Sequence, residues 1–352
     1  MNIIKKCNAL LFLIAMCVTQ QLSAQTDSSY TCVACICKKD ATPAGVMISH
    51  VHPKGEWMFS YRYMNMNSGG MQQNRAPISN DQIFNKYVYT SDKMQMDMHM
   101  LMAMYGLSNK LTLMGMAEYN SATMNMKGLP GSAHMHNGVM MSGDMSHDMK
   151  TSGFGDVSLT ALYSIINSSK HHVVFSGGLS IPTGSVQTKG ETGSMYPNKR
   201  YPYMMQQGSG TWDILPGLTY TYKGEKVMAS TQVTSTLRTG YNAVGYKLGN
   251  EFMFNNWVAY QWFPFVSTSL RGEFIQLGEI KGRDASYAAL TEPSADPANY
   301  GGSVACIYGG INFYFLSINK IGIEAGLPIY QKTNGIQATL KTNIHLLYTI
   351  IF

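Results

Sequence analysis

The sequence predicts an all-β fold: a transmembrane antiparallel up-and-down β-barrel of about 12 strands, with long extracellular loops and short periplasmic turns. Three observations carry this. An export signal opens the chain, and no apolar run after it approaches the roughly 20 residues of a membrane helix. Segments about ten residues long alternate apolar and polar side chains, the period of a strand with two unlike faces. Tight turns alternate with long links along the chain. Composition agrees, since only 13% of the 352 residues are charged while Gly (34), Met (27) and Tyr (22) abound, and mean hydropathy is −0.10.

At the N-terminus Lys5 and Lys6 precede the apolar run "ALLFLIAM" (9–16), and "LSA" (22–24) supplies a cleavage site, so residues 1–24 read as a signal peptide. Met16 is too large for the small residue that precedes a lipidated cysteine, which argues against lipid on Cys17. Residues 25–54 read as a periplasmic tail containing Cys and His, and 55–352 as the barrel. Export without a membrane helix leaves a periplasmic protein, an extracellular one or an outer-membrane barrel. The alternation and the loop pattern then select a barrel in the outer membrane of a Gram-negative bacterium, with outer-membrane lipid as its surroundings.

Twelve strands are expected near 56–66, 94–105, 110–119, 153–165, 171–181, 210–222, 226–238, 247–260, 265–276, 303–316, 320–330 and 339–352. In the first, Trp57, Phe59, Tyr61 and Tyr63 alternate with Glu56, Met58, Ser60, Arg62, Met64 and Met66. Short links such as "GLSNK", "NSSK", "YKGE" and "SIN" alternate with the long stretches 67–93, 120–152, 182–209 and 277–302, so both termini fall on the periplasmic side. The last strand alternates down to a terminal aromatic, Phe352, as expected of a chain handed to the barrel assembly machinery.

Polar parity then assigns a lumen. Glu56, Arg62, Glu118, Asp156, Asp213, Arg238, Arg271, Glu273 and Glu324 are expected to line it, with Gln232, Glu251 and His345 beside them. Acids and bases are mixed, so pairing across the interior is their default role. No G-x-S-x-G, H-E-x-x-H or P-loop is present, and no enzyme is expected. The net charge of +6 is spread without any run of Lys or Arg longer than two, so no nucleic-acid partner is expected either.

Nineteen of the 27 methionines fall between Met58 and Met149. Thioether sulfur is a soft ligand that selects Cu(I) or Ag(I) over hard ions. Met58, Met64 and Met66 share a face with Arg62, and Met114 and Met116 with Glu118, so these five are expected in the lumen. In "MQMDMHMLMAM" (94–104) the companions Gln95, Asp97 and His99 are polar, which turns Met94 to Met104 towards lipid. The stretch 124–149 is the first metal candidate, with Met124, Met126, Met135, Met140, Met141, Met145 and Met149 joined by His134, His136 and His147. The tail is the second: Cys32, Cys35 and Cys37 either hold a soft metal or pair as a disulfide, followed by His50 and His52.

Several runs resemble a family of bacterial outer-membrane barrels labelled transporters, grouped with the MetA-pathway phenol-degradation barrels. They are "HPKGEWMFSYRYMNM" (52–66), "MHMLMAMYGLSNKLTLMGM" (98–116), "SGFGDVSLTALY" (152–163), "LSIPTGS" (179–185), "PYMMQQGSGTWDILPGLTY" (202–220) and "GLPIYQKTNGIQ" (326–337). The resemblance implies an outer-membrane barrel that passes small molecules, and relatives sharing the Met-rich segment look like copper-handling proteins. The leading expectation is a barrel that binds or moves soft metal ions, Cu(I) above all, with a periplasmic metal-handling partner and no required cofactor. The alternative is a channel for small organic, aromatic or hydrophobic, compounds.

Overall fold

A computed structural model of the chain describes residues 40–131, 133–136, 139–142, 146–190, 199–287 and 291–352, with the backbone alone at 133–136 and 139–142. One antiparallel sheet of fourteen strand segments closes on itself. Two segments are not separate staves. Ala76–Pro77 only extends the first strand, and His147–Phe154 and Val157–Asn167 both pair with the same neighbour, one above the other. What remains is a closed barrel of twelve strands: β1 (Trp57–Gln73), β2 (Tyr89–Ser108), β3 (Leu111–Gly128), β4 (His147–Phe154 and Val157–Asn167), β5 (His171–Ile181), β6 (Asp213–Lys223), β7 (Val227–Arg238), β8 (Glu251–Phe263), β9 (Val266–Leu277), β10 (Gly302–Phe315), β11 (Asn319–Thr333) and β12 (Ile336–Ile351). Closure comes from β1, which pairs with both β2 and β12. Closure leaves the sheet without a free edge strand, the condition a sheet must meet in hydrocarbon.

The strand faces follow the alternation. On β1, Trp57, Phe59 and Tyr61 are exposed while Met58, Ser60 and Arg62 between them are buried. The same outward apolar set continues through Leu159, Tyr163, Leu218, Tyr220, Ile321, Ile323, Leu346 and Tyr348, a lipid-facing belt around the barrel. The C-terminus locks the seam, since Trp57 and Phe352 exchange both backbone hydrogen bonds (3.1 and 2.9 Å). On the extracellular side the long loops carry short elements of their own, including a helix, α1 (Asn80–Phe84), opened by a Ser79–Gln82 capping box.

Two features depart from the sequence reading. The strands β2, β3 and β4 run well past the expected ends, so Met124 and Met126 lie on β3 and His147 and Met149 on β4 rather than in a loop. And β2 faces the other way. Met58 pairs with Met104, Met64 with Met98 and Met66 with Met96, and directly paired residues point to the same side of a sheet. The even methionines of β2 therefore face the lumen, with Met94, Met100 and Met104 buried. Their polar companions point outward. Asp97 accepts hydrogen bonds from Tyr63 (2.5 Å), Asn65 (2.7 Å) and Gln95 (3.1 Å), and His99 Nδ1 bonds the Tyr61 hydroxyl (2.7 Å). Asp97 pairs with Asn65, eight positions along β1 from Trp57. At about 3.4 Å per residue and a tilt of about 40° that is roughly 20 Å above the lower rim, the outer edge of the apolar band, where a charge costs only about 0–1 kcal/mol.

Candidate functional site

Residues 40–54, expected as part of a free periplasmic tail, run inside the barrel instead. They enter at the periplasmic end, turn at Pro43–Val46 through a 3.1 Å backbone hydrogen bond, and return to the rim before β1. The physical reason is a wall of polar side chains aimed at this segment's backbone. Arg62 donates to the Val46 carbonyl (2.9 Å), Gln232 to those of Met47 (2.9 Å) and Ile48 (2.8 Å), Thr219 to Ile48 (3.2 Å) and Lys320 to Thr42 (2.8 Å). From the loop, the Gly45 amide donates to Glu324 (2.7 Å) and the His52 amide to Thr112 (2.7 Å). Buried backbone groups need such partners, and a polar lumen supplies them. Ala41 and Val46 also pack with Met228, Trp257 and Ala259, and Val51 with Met58, Met104 and Met114.

Above the loop tip sits an ionic knot. Arg271 makes a two-pronged contact with Glu324 (2.9 and 3.1 Å), pairs with Glu273, and donates to Asn255 (2.9 Å), while its guanidinium lies 3.8 Å from the Tyr308 ring centre. The Arg271 and Glu324 side chains are fully buried. His345 stands beside Tyr308, 5% exposed, and among the described residues neither ring nitrogen has a hydrogen-bond partner. Arg62 Nη1 is also unpartnered.

Two cavities lie in the lumen. The lower, about 380 Å³, lies beside the loop and is walled by Met58, Ser60, Arg62, Met102 and Met104. The upper, about 400 Å³, is walled by Met96, Met116, Glu118, Asp156, Arg238 and Tyr203. Asp156 ties the loop after β5 across this chamber by accepting from the Gly184 amide (2.9 Å) and from the Ser209 amide (2.8 Å) and hydroxyl (2.7 Å). Asp213, fully buried, is paired with Arg238 and accepts from Thr211 (2.7 Å). Glu251, on β8, pairs with Leu277 and Thr236 at the same level. Glu56 lies at the lower rim, where it bonds His52 Nδ1 (2.6 Å).

The methionine-bearing face of β1, β2 and β3 runs past both cavities. Met114 and Met116 pair with Met104 and Met102, and Met124 with Met94, so the thioethers make a continuous lumenal stripe. His147 meets the Tyr89 ring edge-on at 5.0 Å. His50 bonds Ser49 (2.9 Å) and its ring lies 4.9 Å from that of His52. Among the described residues no three His, Cys, Asp or Glu gather as metal ligands. The signal peptide and Cys32, Cys35 and Cys37 lie outside the described residues, as do the side chains of His134, Met135, His136, Met140, Met141 and Met145. Sequence reasoning missed Lys320, Asn312, Tyr314 and Asn255, which hold the inner loop and the knot. Their signal was only that each is a polar residue on an inward position of a strand.

Burial pushes the His50 imidazole down to about 3, with His52, Lys223 and Lys320 adding to the shift and Asp40 opposing it. A free loop titrates near the ordinary histidine value of about 6.5. Seating is therefore fully favoured above about pH 6.5 and weakens as pH falls from there towards 3, because only the free loop takes up the proton. Acidifying a planar bilayer from about pH 7.5 to about 4.5 is expected to raise ion conductance through the barrel, and His50→Phe to flatten that response.

A solved outer membrane channel from Pseudomonas putida F1 superposes with a TM-score of 0.57 at 16% identity, over 87% of this chain and 98% of that one, and shares its fold. A FadL homologue from Pseudomonas aeruginosa aligns with a TM-score of 0.41 (8% identity; 84% of this chain, 90% of that one), and the CymD monoaromatic hydrocarbon channel with 0.34 (10%; 85% and 89%). No curated protein matches the sequence. Residues 81–295, more than half of the 352, match the model of one family, and the chain belongs to it: the family described as "Putative MetA-pathway of phenol degradation".

Proposed function

We propose that the barrel is an outer-membrane channel for small aromatic compounds, hydroxylated or acidic ones foremost. The observation that carries this reading is the pair of lumenal cavities, about 400 and 380 Å³, walled by thioethers and a few charged groups. Each cavity is within the roughly 300–1,000 Å³ of small-molecule sites. Their walls mix thioethers, which pack softly against aromatic faces, with a few charged groups. Arg62 walls the lower cavity, and its buried Nη1 and the buried ring nitrogens of His345, without partners among the described residues, would be satisfied by a phenolic or carboxylate oxygen that has shed its water. The family description points to the same chemistry.

Uptake of a hydroxybenzoate into proteoliposomes tests the reading. The intact chain is expected to carry it faster than glucose. His345→Phe, which removes both unpartnered nitrogens, is expected to slow it about tenfold, the worth of one hydrogen bond to a charged oxygen. Uptake no faster than in protein-free vesicles would sink the proposal. The leading expectation, a barrel that binds or moves soft metal ions, rests on the Met/His stretch 124–149, the lumenal methionines and the Cys/His tail, and the family description favours aromatic passage over it.

A further inference from the structure

We propose that the methionine cluster beneath the extracellular mouth is a binding site for a soft monovalent metal ion, Cu(I) or Ag(I). Met94 on β2 pairs with Met124 on β3, and Met124 with Met149 on β4, so three thioethers stand side by side on one face of three adjacent strands. Directly opposed residues in such a row have Cβ atoms about 5 Å apart, within reach of long flexible side chains converging on one ion. Met205, from the loop that crosses the mouth, closes over them. The four are 5%, 2%, 0% and 0% exposed.

The make-up of the cluster separates a site from ordinary packing. Its buried members are Met94, Met124, Met126, Met149, Met205, Tyr89, Ala122 and Tyr201, with Met96 and Met204 against them. Among the described residues no Leu, Ile, Val or Phe belongs to the cluster, although branched aliphatics fill a space with less loss of side-chain entropy. By contrast, the cluster at the periplasmic end mixes Met58, Met104 and Met114 with Val51, Leu162 and Val174. Thioethers are neutral donors, and the cluster's four buried sulfurs bring no charge of their own. A ligand set without charge leaves the ion's own charge unbalanced, which penalises a divalent ion far more than a monovalent one. Soft sulfur donors make the same choice.

The inference goes beyond aromatic passage and does not rest on it. The test is Ag(I) titration of the full chain refolded in detergent, with Cys32, Cys35, Cys37 and Cys306 replaced by serine in every sample and bathocuproine-buffered Cu(I) as a second probe. Met94→Leu/Met124→Leu/Met149→Leu keeps size and apolarity and removes the three sulfurs. It is expected to lower Ag(I) affinity at least tenfold, while Met102→Leu/Met104→Leu/Met114→Leu leaves it unchanged. X-ray absorption of the Cu(I) form is expected to show sulfur neighbours lost in the first variant alone. The shift in gel migration between heated and unheated samples reports folding, and Met124→Leu alone serves if the triple variant does not fold. Wild-type affinity in a folded cluster variant, or an equal loss in both triples, would overturn the assignment.

Discussion

Removing residues 40–54 is expected to raise the single-channel conductance of the refolded barrel by at least about tenfold, because the change turns a filled small barrel into an open water path. The loop occupies the periplasmic half of the lumen and is held by bonds donated by Arg62, Thr219, Gln232 and Lys320 and by one that Glu324 accepts from the Gly45 amide. None of these is a strand-pairing bond, so the barrel loses no stave when the loop goes. A point substitution tests the same idea without deletion. A Cβ at Gly45 would sit 2.3 Å from Arg271 Nη2 and 2.5 Å from Glu324 Oε2, both held in the buried knot. Gly45→Leu therefore cannot seat, and is expected to raise conductance in the same direction. Unchanged conductance in both folded variants would show that the loop does not block the passage.

The second large effect lies in the knot itself. Arg271→Met leaves Glu324 without its guanidinium partner at a site with no solvent exposure, and leaves Glu273 beside it. Breaking a buried pair from one side typically costs about 3–5 kcal/mol, because the remaining charge is neither solvated nor paired. Urea unfolding in phospholipid vesicles, followed by tryptophan fluorescence, is expected to show a loss of that size. Adding Glu324→Gln is expected to recover much of it, since the amide keeps an acceptor for the Gly45 amide without the charge. Equal stability of Arg271→Met and the unaltered chain would mean that water reaches the knot.

These effects bear on how far the sequence alone could be read. The barrel was legible because alternation is local: Trp57, Phe59 and Tyr61 face lipid and Ser60 and Arg62 the lumen for reasons contained in β1 itself. Alternation divides β2 into two faces as clearly, but it does not say which is inside. Polarity chose wrongly there, because hydroxyl and amide groups of β1 satisfy Asp97 and His99 on the outward face, and Asp97 lies towards the outer edge of the apolar band. The inner loop was illegible for a different reason. Residues 40–54 have no periodicity, and their structure comes from contacts with strands as distant in sequence as Lys320 and Glu324. Many inward polar groups pointed to a lumen, yet their targets are backbone carbonyls, which every residue carries alike.

One measurement bears most directly on the claim that the methionine face of β2 lines the route of passage. Met98→Cys and Asp97→Cys, each in a background with the other cysteines of the mature chain replaced by serine, are compared for hydroxybenzoate uptake into proteoliposomes before and after reaction with a bulky water-soluble maleimide. Met98 shares the lumenal face with Met64, whereas Asp97 pairs with Asn65 on the outside. Modification at position 98 is expected to block uptake and modification at 97 to leave it unchanged. Block at 97 alone, or at neither position, would contradict the account.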